Sequence, residues 1–190
     1  MKKLFVIAGL IFTGMVVNAQ WYMGYRFDIS AQQVKNDDGD KRTSNSSIGV
    51  YADVGYQWSD EIDFGVEYGG TLGFSKNHTT DTKDKTANWL LSPYMRYSLL
   101  QAGKFELLGK GSIILEGSKT YYQAGLQVAP VLAYNLNERI ALQTNLNFFS
   151  FGVSYNKVKK GNATTNFNLG GNSNNVATLG NLTIGFIYKF

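Results

Sequence analysis

The sequence holds a single histidine, His78, in the stretch SKNHTTD, with Ser75 and Asp81 on either side. Hydroxyl, imidazole and carboxylate are the groups of nucleophilic acyl chemistry, which needs them held in place by hydrogen bonds. This stretch is polar and has no periodicity, the composition of a mobile loop, so a solvated histidine is expected. NDDGD, Asn36 to Asp40, gathers oxygen ligands but lacks the spacing and distal Glu of a calcium loop. A solvated turn is expected there. The absence of cysteine removes disulfides and thiolate metal sites. No catalytic, cofactor-binding or metal-binding residue is expected.

Arg26, Asp53, Glu67, Arg96 and Lys110 are of a different kind. Each lies on the polar side of a segment whose apolar residues recur at every second position, the mark of a half-buried strand. Trp21, Met23, Tyr25, Phe27 and Ile29 oppose Tyr22, Gly24, Arg26, Asp28 and Ser30. The pattern returns over Ile48–Trp58, Ile62–Phe74, Trp89–Leu99, Phe105–Glu116, Tyr122–Tyr134, a segment from Ile140, and Leu182–Phe190. In the fifth segment Leu108 and Ile114 fall on the polar side. In the seventh the apolar parity slips near Phe149, which predicts a β-bulge. Short turns at Trp58–Ile62, Leu100–Lys104 and Asn135–Arg139 alternate with long polar segments at Gln33–Ser46, Lys76–Thr86 and Asn156–Asn175. The connection at Gly117–Thr120 is short. Residues from Gly161 to Asn175, rich in Asn and Gly, are expected to be mobile.

Lys2 and Lys3 precede an apolar run from Leu4 to Val17, and Val17-Asn18-Ala19 follows. That is the order of a signal peptide over residues 1–19, cleaved after Ala19, with one domain over residues 20–190. The run falls short of the roughly 20 residues a spanning helix needs. Without Lys2 and Lys3, 16 basic residues face 14 acidic ones, and +2 gives no reason to expect a nucleic-acid partner. Aromatics at 14% and 21 glycines against two prolines describe a β protein with dispersed apolar residues.

Alternation alone does not say which face is wet. A soluble carrier would turn the apolar face inward, and a membrane barrel would turn it outward. The polar face here is poor in lysine and rich in small and amide residues, which suits a narrow filled lumen. The apolar face is graded. Trp21, Trp58, Tyr97 and Tyr134 lie toward the tight turns, Val50, Ala52, Val54 and Val66 in the middle, and Trp89 toward the long loops. Rings at both ends of an apolar band are what membrane interfaces favour. The expected fold is an all-β, eight-stranded antiparallel up-and-down transmembrane β-barrel.

The chain from residue 20 onward resembles the small outer-membrane β-barrels of the OmpA/OmpX type, the porin-family outer-membrane β-barrel domain. IGFIYKF, Ile184 to Phe190, resembles that family's C-terminal assembly signal: Gly185, Tyr188 and Phe190 match, while Ile184 stands where a polar residue is usual. The resemblance implies a Gram-negative outer membrane, insertion by the barrel-assembly machinery, and contact with outer-membrane lipid and lipopolysaccharide. It also implies a non-enzymatic role in envelope integrity or loop-borne surface recognition, and a monomer is expected. Some barrels of this size acylate or deacylate lipid A; His78, Ser75 and Asp81 would then be the residues used. A small-solute or lipophile conduit near Pro93 or Pro130 is the other rival. Lys157, Lys159 and Lys160 suit lipopolysaccharide phosphates or an acidic partner, or simply a wet loop.

Eight strands enclose a space that side chains fill. Arg26, Asp53, Glu67, Arg96 and Lys110 fall near mid-depth and are expected to pair, since buried charges are otherwise costly. Gln127, Gln143, Asn145, Asn147 and Asn181 are expected to satisfy the rest of the lumen. Such a network would be a plug.

Overall fold

The computed structural model describes residues 20–35, 42–78, 80–146, 150–158, 163–169 and 181–190. Residues 1–19, expected to be a signal peptide, NDDGD at 36–40, Asn147, Phe148, Phe149, Lys159, Lys160 and residues 170–180 lie outside the described residues.

The elements are β1 (Gln20–Lys35), β2 (Arg42–Gln57), β3 (Ile62–Asn77), β4 (Thr82–Ala102), β5 (Phe105–Ser118), β6 (Tyr121–Asn135), β7 (Ile140–Asn145), β8 (Phe151–Val158), β9 (Ala163–Leu169) and β10 (Asn181–Lys189). All neighbours pair antiparallel. β7 and β8 are the two halves of a seventh wall position, and β9 and β10 those of an eighth. β10 pairs with β1, and β5 with β6, so the sheet closes on itself as an eight-stranded barrel.

The alternation read from the sequence becomes the two faces of the wall. Tyr22 is 2% exposed, whereas Phe27, five residues on and pointing outward, is 49% exposed. Ile48, Val50, Val66, Leu72, Ile113, Leu126, Val128 and Ile184 stand outward and exposed with it. A contiguous apolar band of this extent on a closed barrel is matched by hydrocarbon, not by water.

Tight turns form where expected. Trp58 N–H donates to Ile62 O at 2.9 Å, and Leu136 N–H to Ile140 O at 2.9 Å. Ser59 Oγ and Asn137 Oδ1 accept from the backbone N–H of Ile62 and Ile140, the usual turn chemistry of these residues. Gly103 takes φ +61°, open to glycine without steric penalty.

The long polar segments are shorter than the sequence pattern predicts. Arg42–Ser46, Lys76–Asn77 and Thr82–Thr86 continue the ladders, with Thr43 opposite Asn77 and Asn77 opposite Thr82. Ala163–Leu169, within the stretch expected to be mobile, pairs with β8. Pairing propagates from the apolar half, but above it both faces are wet, so no alternation marks these residues. β1, β2 and β3 have 16 residues each, roughly 53 Å at about 3.3 Å per residue. A tilted strand crosses hydrocarbon in about 9–11 residues. The hairpins therefore project well beyond the band on the long-loop side.

The seventh wall position changes phase as expected. Leu142 points outward with Gln143 inward, yet Phe151 and Tyr155 point outward with Ser154 inward. The ladder to β6 breaks between Val131–Asn145 and Val128–Phe151. Pro130 lies in that break, and its carbonyl accepts from Leu146 N–H at 2.8 Å. Pro93 pairs with Val66 of β3, while the β4–β5 ladder skips from Leu91–Leu115 to Tyr94–Ser112. Both prolines thus stand where a ladder donor is not used.

Candidate functional site

The lumen is crossed by a row of four residues on β1–β4. Tyr22 is opposite Gly55, Gly55 opposite Gly65, and Gly65 opposite Tyr94. The two rings lie over the two glycines from opposite sides. A Cβ on Gly55 would overlap the Tyr22 phenol, and one on Gly65 the Tyr94 phenol. Over the glycines the phenol oxygens come within 2.8 Å of each other. Tyr22 donates to Asp63 Oδ1 at 2.9 Å, and Tyr94 to Asp53 Oδ1 at 2.5 Å. Arg96 closes the gap. Its Nε donates to Asp63 at 2.7 Å and its Nη1 to Gln143 Oε1 at 3.0 Å. Its guanidinium carbon sits 4.8 Å from the Tyr22 ring centroid and 5.3 Å from that of Tyr94.

A second cluster stands toward the long-loop side. Glu67 Oε2 accepts from Arg26 Nη1 at 2.8 Å and from Lys110 Nζ at 3.2 Å. Arg26 also pairs with Asp28 at 3.1 Å and lies 4.1 Å over the Tyr51 ring, whose hydroxyl meets Thr71 Oγ1 at 2.6 Å. Lys110 Nζ lies 4.3 Å over the Tyr94 ring, joining the two clusters.

The structure places Arg26, Asp53, Glu67, Arg96 and Lys110 near one another, with further residues joining them. The carboxylate of Arg96 is Asp63, its direct cross-strand neighbour, and Asp53 is held by a phenol. The expected network left out Tyr22, Tyr51 and Tyr94, and it left out Asp63, although Asp63 reads as inward-facing in the sequence. Their signal was present: three tyrosines on the glycine-bearing side of strict alternation. Of the amides, Gln143 serves Arg96, and Gln127 and Asn145 line a cavity. Asn147 and the side chain of Asn181 lie outside the described residues. The tight-turn half of the lumen is packed by apolar groups instead, Leu108 with Val131 and Ala133, and Tyr22 with Ala141 and Ile187. Leu108, out of phase in the sequence, is in phase with this packing.

Beside the second cluster, a cavity of about 340 Å³ is lined by Arg26, Glu67, Lys110, Ser112, Gln127 and Asn145. On the other side a space of about 40 Å³ borders Tyr22, Asp63 and Arg96. Among the described residues the two share no lining residue.

On the outside, Trp21, Tyr56 and Trp58 meet edge to face, with centroids 5.4 and 6.3 Å apart. Phe105 and Tyr134 lie 4.8 Å apart, and the Tyr97 hydroxyl donates to Glu61 at 3.1 Å. Trp89, toward the other end, covers Gly117. Gly185 is buried against Gln143, Tyr188 stacks edge-on to Phe190 at 5.3 Å, and Phe190 N–H donates to Trp21 O at 2.9 Å.

The Ser75, His78 and Asp81 set is not assembled. His78 Nε2 lies 3.0 Å from Ser44 Oγ, Ser75 donates to Asn45, and Asp81 faces Lys76 at 3.6 Å. Among the described residues, no group of His, Asp and Glu is arranged to hold a metal.

This fold and lumen are those of a small closed outer-membrane-type barrel. The crystal structure of Neisserial surface protein A aligns with it at TM-score 0.52 and 16% identity, over 91% of this chain and 99% of that one. An outer membrane channel from Pseudomonas putida F1 aligns at TM-score 0.37 and 9% identity, over 90% of this chain and 95% of that one. The second likeness is too loose to bear on the fold. No protein-family model and no curated protein sequence matches the chain.

Proposed function

We propose that this chain is a non-enzymatic integral outer-membrane protein with a lumen closed by side chains. It would serve envelope integrity or surface recognition through the hairpins that project beyond the apolar band. The observation that carries this reading is the row of Tyr22, Tyr94, Arg96, Asp63 and Asp53 across the lumen, with each charge paired or hydrogen-bonded. A pore would need those groups to part, leaving buried charges uncompensated at several kcal/mol each. The cavity on the long-loop side of that row shares no lining residue with the space on the tight-turn side, which supports a vestibule over a conduit.

The test is conductance in planar bilayers. The purified barrel is expected to show no steady channels, and Tyr94→Ala/Arg96→Ala, which removes the ring and the cation, is expected to show them. Steady channels in the unmodified protein would sink the plug. Against a lipid A-modifying activity stands the dispersed geometry of Ser75, His78 and Asp81. His78→Ala is expected to leave the lipid A profile of the host unchanged by mass spectrometry, and an altered profile would reinstate the enzyme.

A further inference from the structure

On the β3–β4 hairpin, just past the aromatic end of the apolar band, three lysines share the outward face. Lys76 and Lys83 are direct cross-strand partners, and Lys85 is the partner of Phe74. Lys85 Nζ lies 5.9 Å from the Phe74 ring centroid, and Phe74 is an exposed, outward ring of the band. Trp89 stands outward four residues further along β4. Two like charges directly opposite on one face repel, because their Cβ atoms are about 5 Å apart. Among the described residues, the only carboxylate paired with this group is Asp81, 3.6 Å from Lys76, 82% exposed and so heavily screened. Asp84 is on the other face, opposite Ser75. The tight-turn end differs: Asp60, Glu61, Lys104, Glu138 and Arg139 mix both signs there.

A triple of ammonium groups that has one screened carboxylate partner among the described residues, directly beyond an aromatic belt, sits at the depth of lipid headgroups. We infer that Lys76, Lys83 and Lys85 bind the phosphates of lipid A in the leaflet that surrounds the projecting hairpins. The acyl chains would lie along Phe74, Leu72 and Trp89, and the phosphates would remove the repulsion between Lys76 and Lys83. The inference rests on the outer-membrane reading above and adds the lipid and its site.

Native mass spectrometry of the detergent-purified barrel tests it, with diphosphorylated lipid A, fully dephosphorylated lipid A and phosphatidylglycerol as separate probes. Each lysine near an anionic surface contributes about fivefold, so Lys76→Gln/Lys83→Gln/Lys85→Gln is expected to weaken diphosphorylated lipid A binding about 100-fold. Dephosphorylation is expected to do the same to the unmodified protein, and phosphatidylglycerol to bind more weakly. Lys76→Arg/Lys83→Arg/Lys85→Arg is expected to retain binding, and Lys104→Gln, at the far end, to change nothing. Equal affinity in the glutamine variant, or equal affinity for the dephosphorylated lipid, would overturn the site. Tighter binding of phosphatidylglycerol would overturn lipid A as its occupant. A barrel that inserts into bilayers yet shows no phosphate preference would overturn only this inference, whereas failure to insert would overturn the membrane reading itself.

Discussion

Glu67→Ala is expected to lower the stability of the barrel by about 3–5 kcal/mol, the range for removing one partner of a buried ion pair. Glu67 is 3% exposed, and a single oxygen of it accepts from both Arg26 and Lys110. Without it Lys110 keeps no carboxylate within salt-bridge distance among the described residues, and Arg26 keeps only Asp28. Glu67→Gln, which retains an acceptor but no charge, is expected to fall between alanine and the unmodified protein. Glu67→Met/Lys110→Met is expected to recover part of the loss, because it also removes the stranded Lys110 charge, while Arg26 keeps Asp28. Urea unfolding in lipid vesicles reads all three, provided the slope with denaturant is unchanged. A loss under about 1 kcal/mol for the alanine variant would mean that water reaches the cluster and that Glu67 is not part of a closed plug.

The strands, their inward and outward faces and the membrane-facing band were legible because one periodicity runs through the whole chain. Trp21 to Ile29 and Tyr22 to Ser30 separate cleanly, and the structure keeps them apart. The phase slip before Phe151 was legible for the same reason. Strand length was not. Thr82 to Thr86 carries no alternation, since its two faces meet the same solvent, and only pairing with Gly73–Asn77 defines it. The site was half legible. Charges on a lumenal face must find partners, so the membership of Arg26, Glu67 and Lys110 follows from depth. Which carboxylate meets which cation depends on register: Asp63 faces Arg96 because β3 and β4 pair with that offset. The phenols were missed because Tyr22 and Tyr94 read as exceptions to a polar face. They are there because the opposing glycines leave room for a ring.

Gly65→Val is expected to prevent recovery of the folded barrel, and adding Tyr94→Ala to restore it in part. Overpacking a closed interior ordinarily costs about 1–3 kcal/mol, and less where the neighbour can swing away. Here it cannot do so freely. Tyr94 is held at its hydroxyl by Asp53 and Tyr22, so displacing the ring also strips a buried carboxylate of its donor. Each such orphaned group adds about 1–3 kcal/mol. The sum approaches the whole margin of an ordinary domain, about 5–15 kcal/mol. Gly55→Val, under Tyr22, is expected to behave alike, since Tyr22 is bound to both Asp63 and Tyr94. By contrast Gly111, with nothing within 4 Å of an added Cβ, is expected to accept alanine with little effect. Tyr94→Ala alone removes a large buried ring and is expected to destabilise by about 3–5 kcal/mol. It also deletes the obstacle that the introduced valine side chain meets, so the two losses should not add, and their coupling should favour the double variant. The folded fraction is read from the shift between unheated and heated samples on a gel. Normal folding of Gly65→Val, or no gain from Tyr94→Ala, would mean that the glycine is required for something other than the ring laid across it.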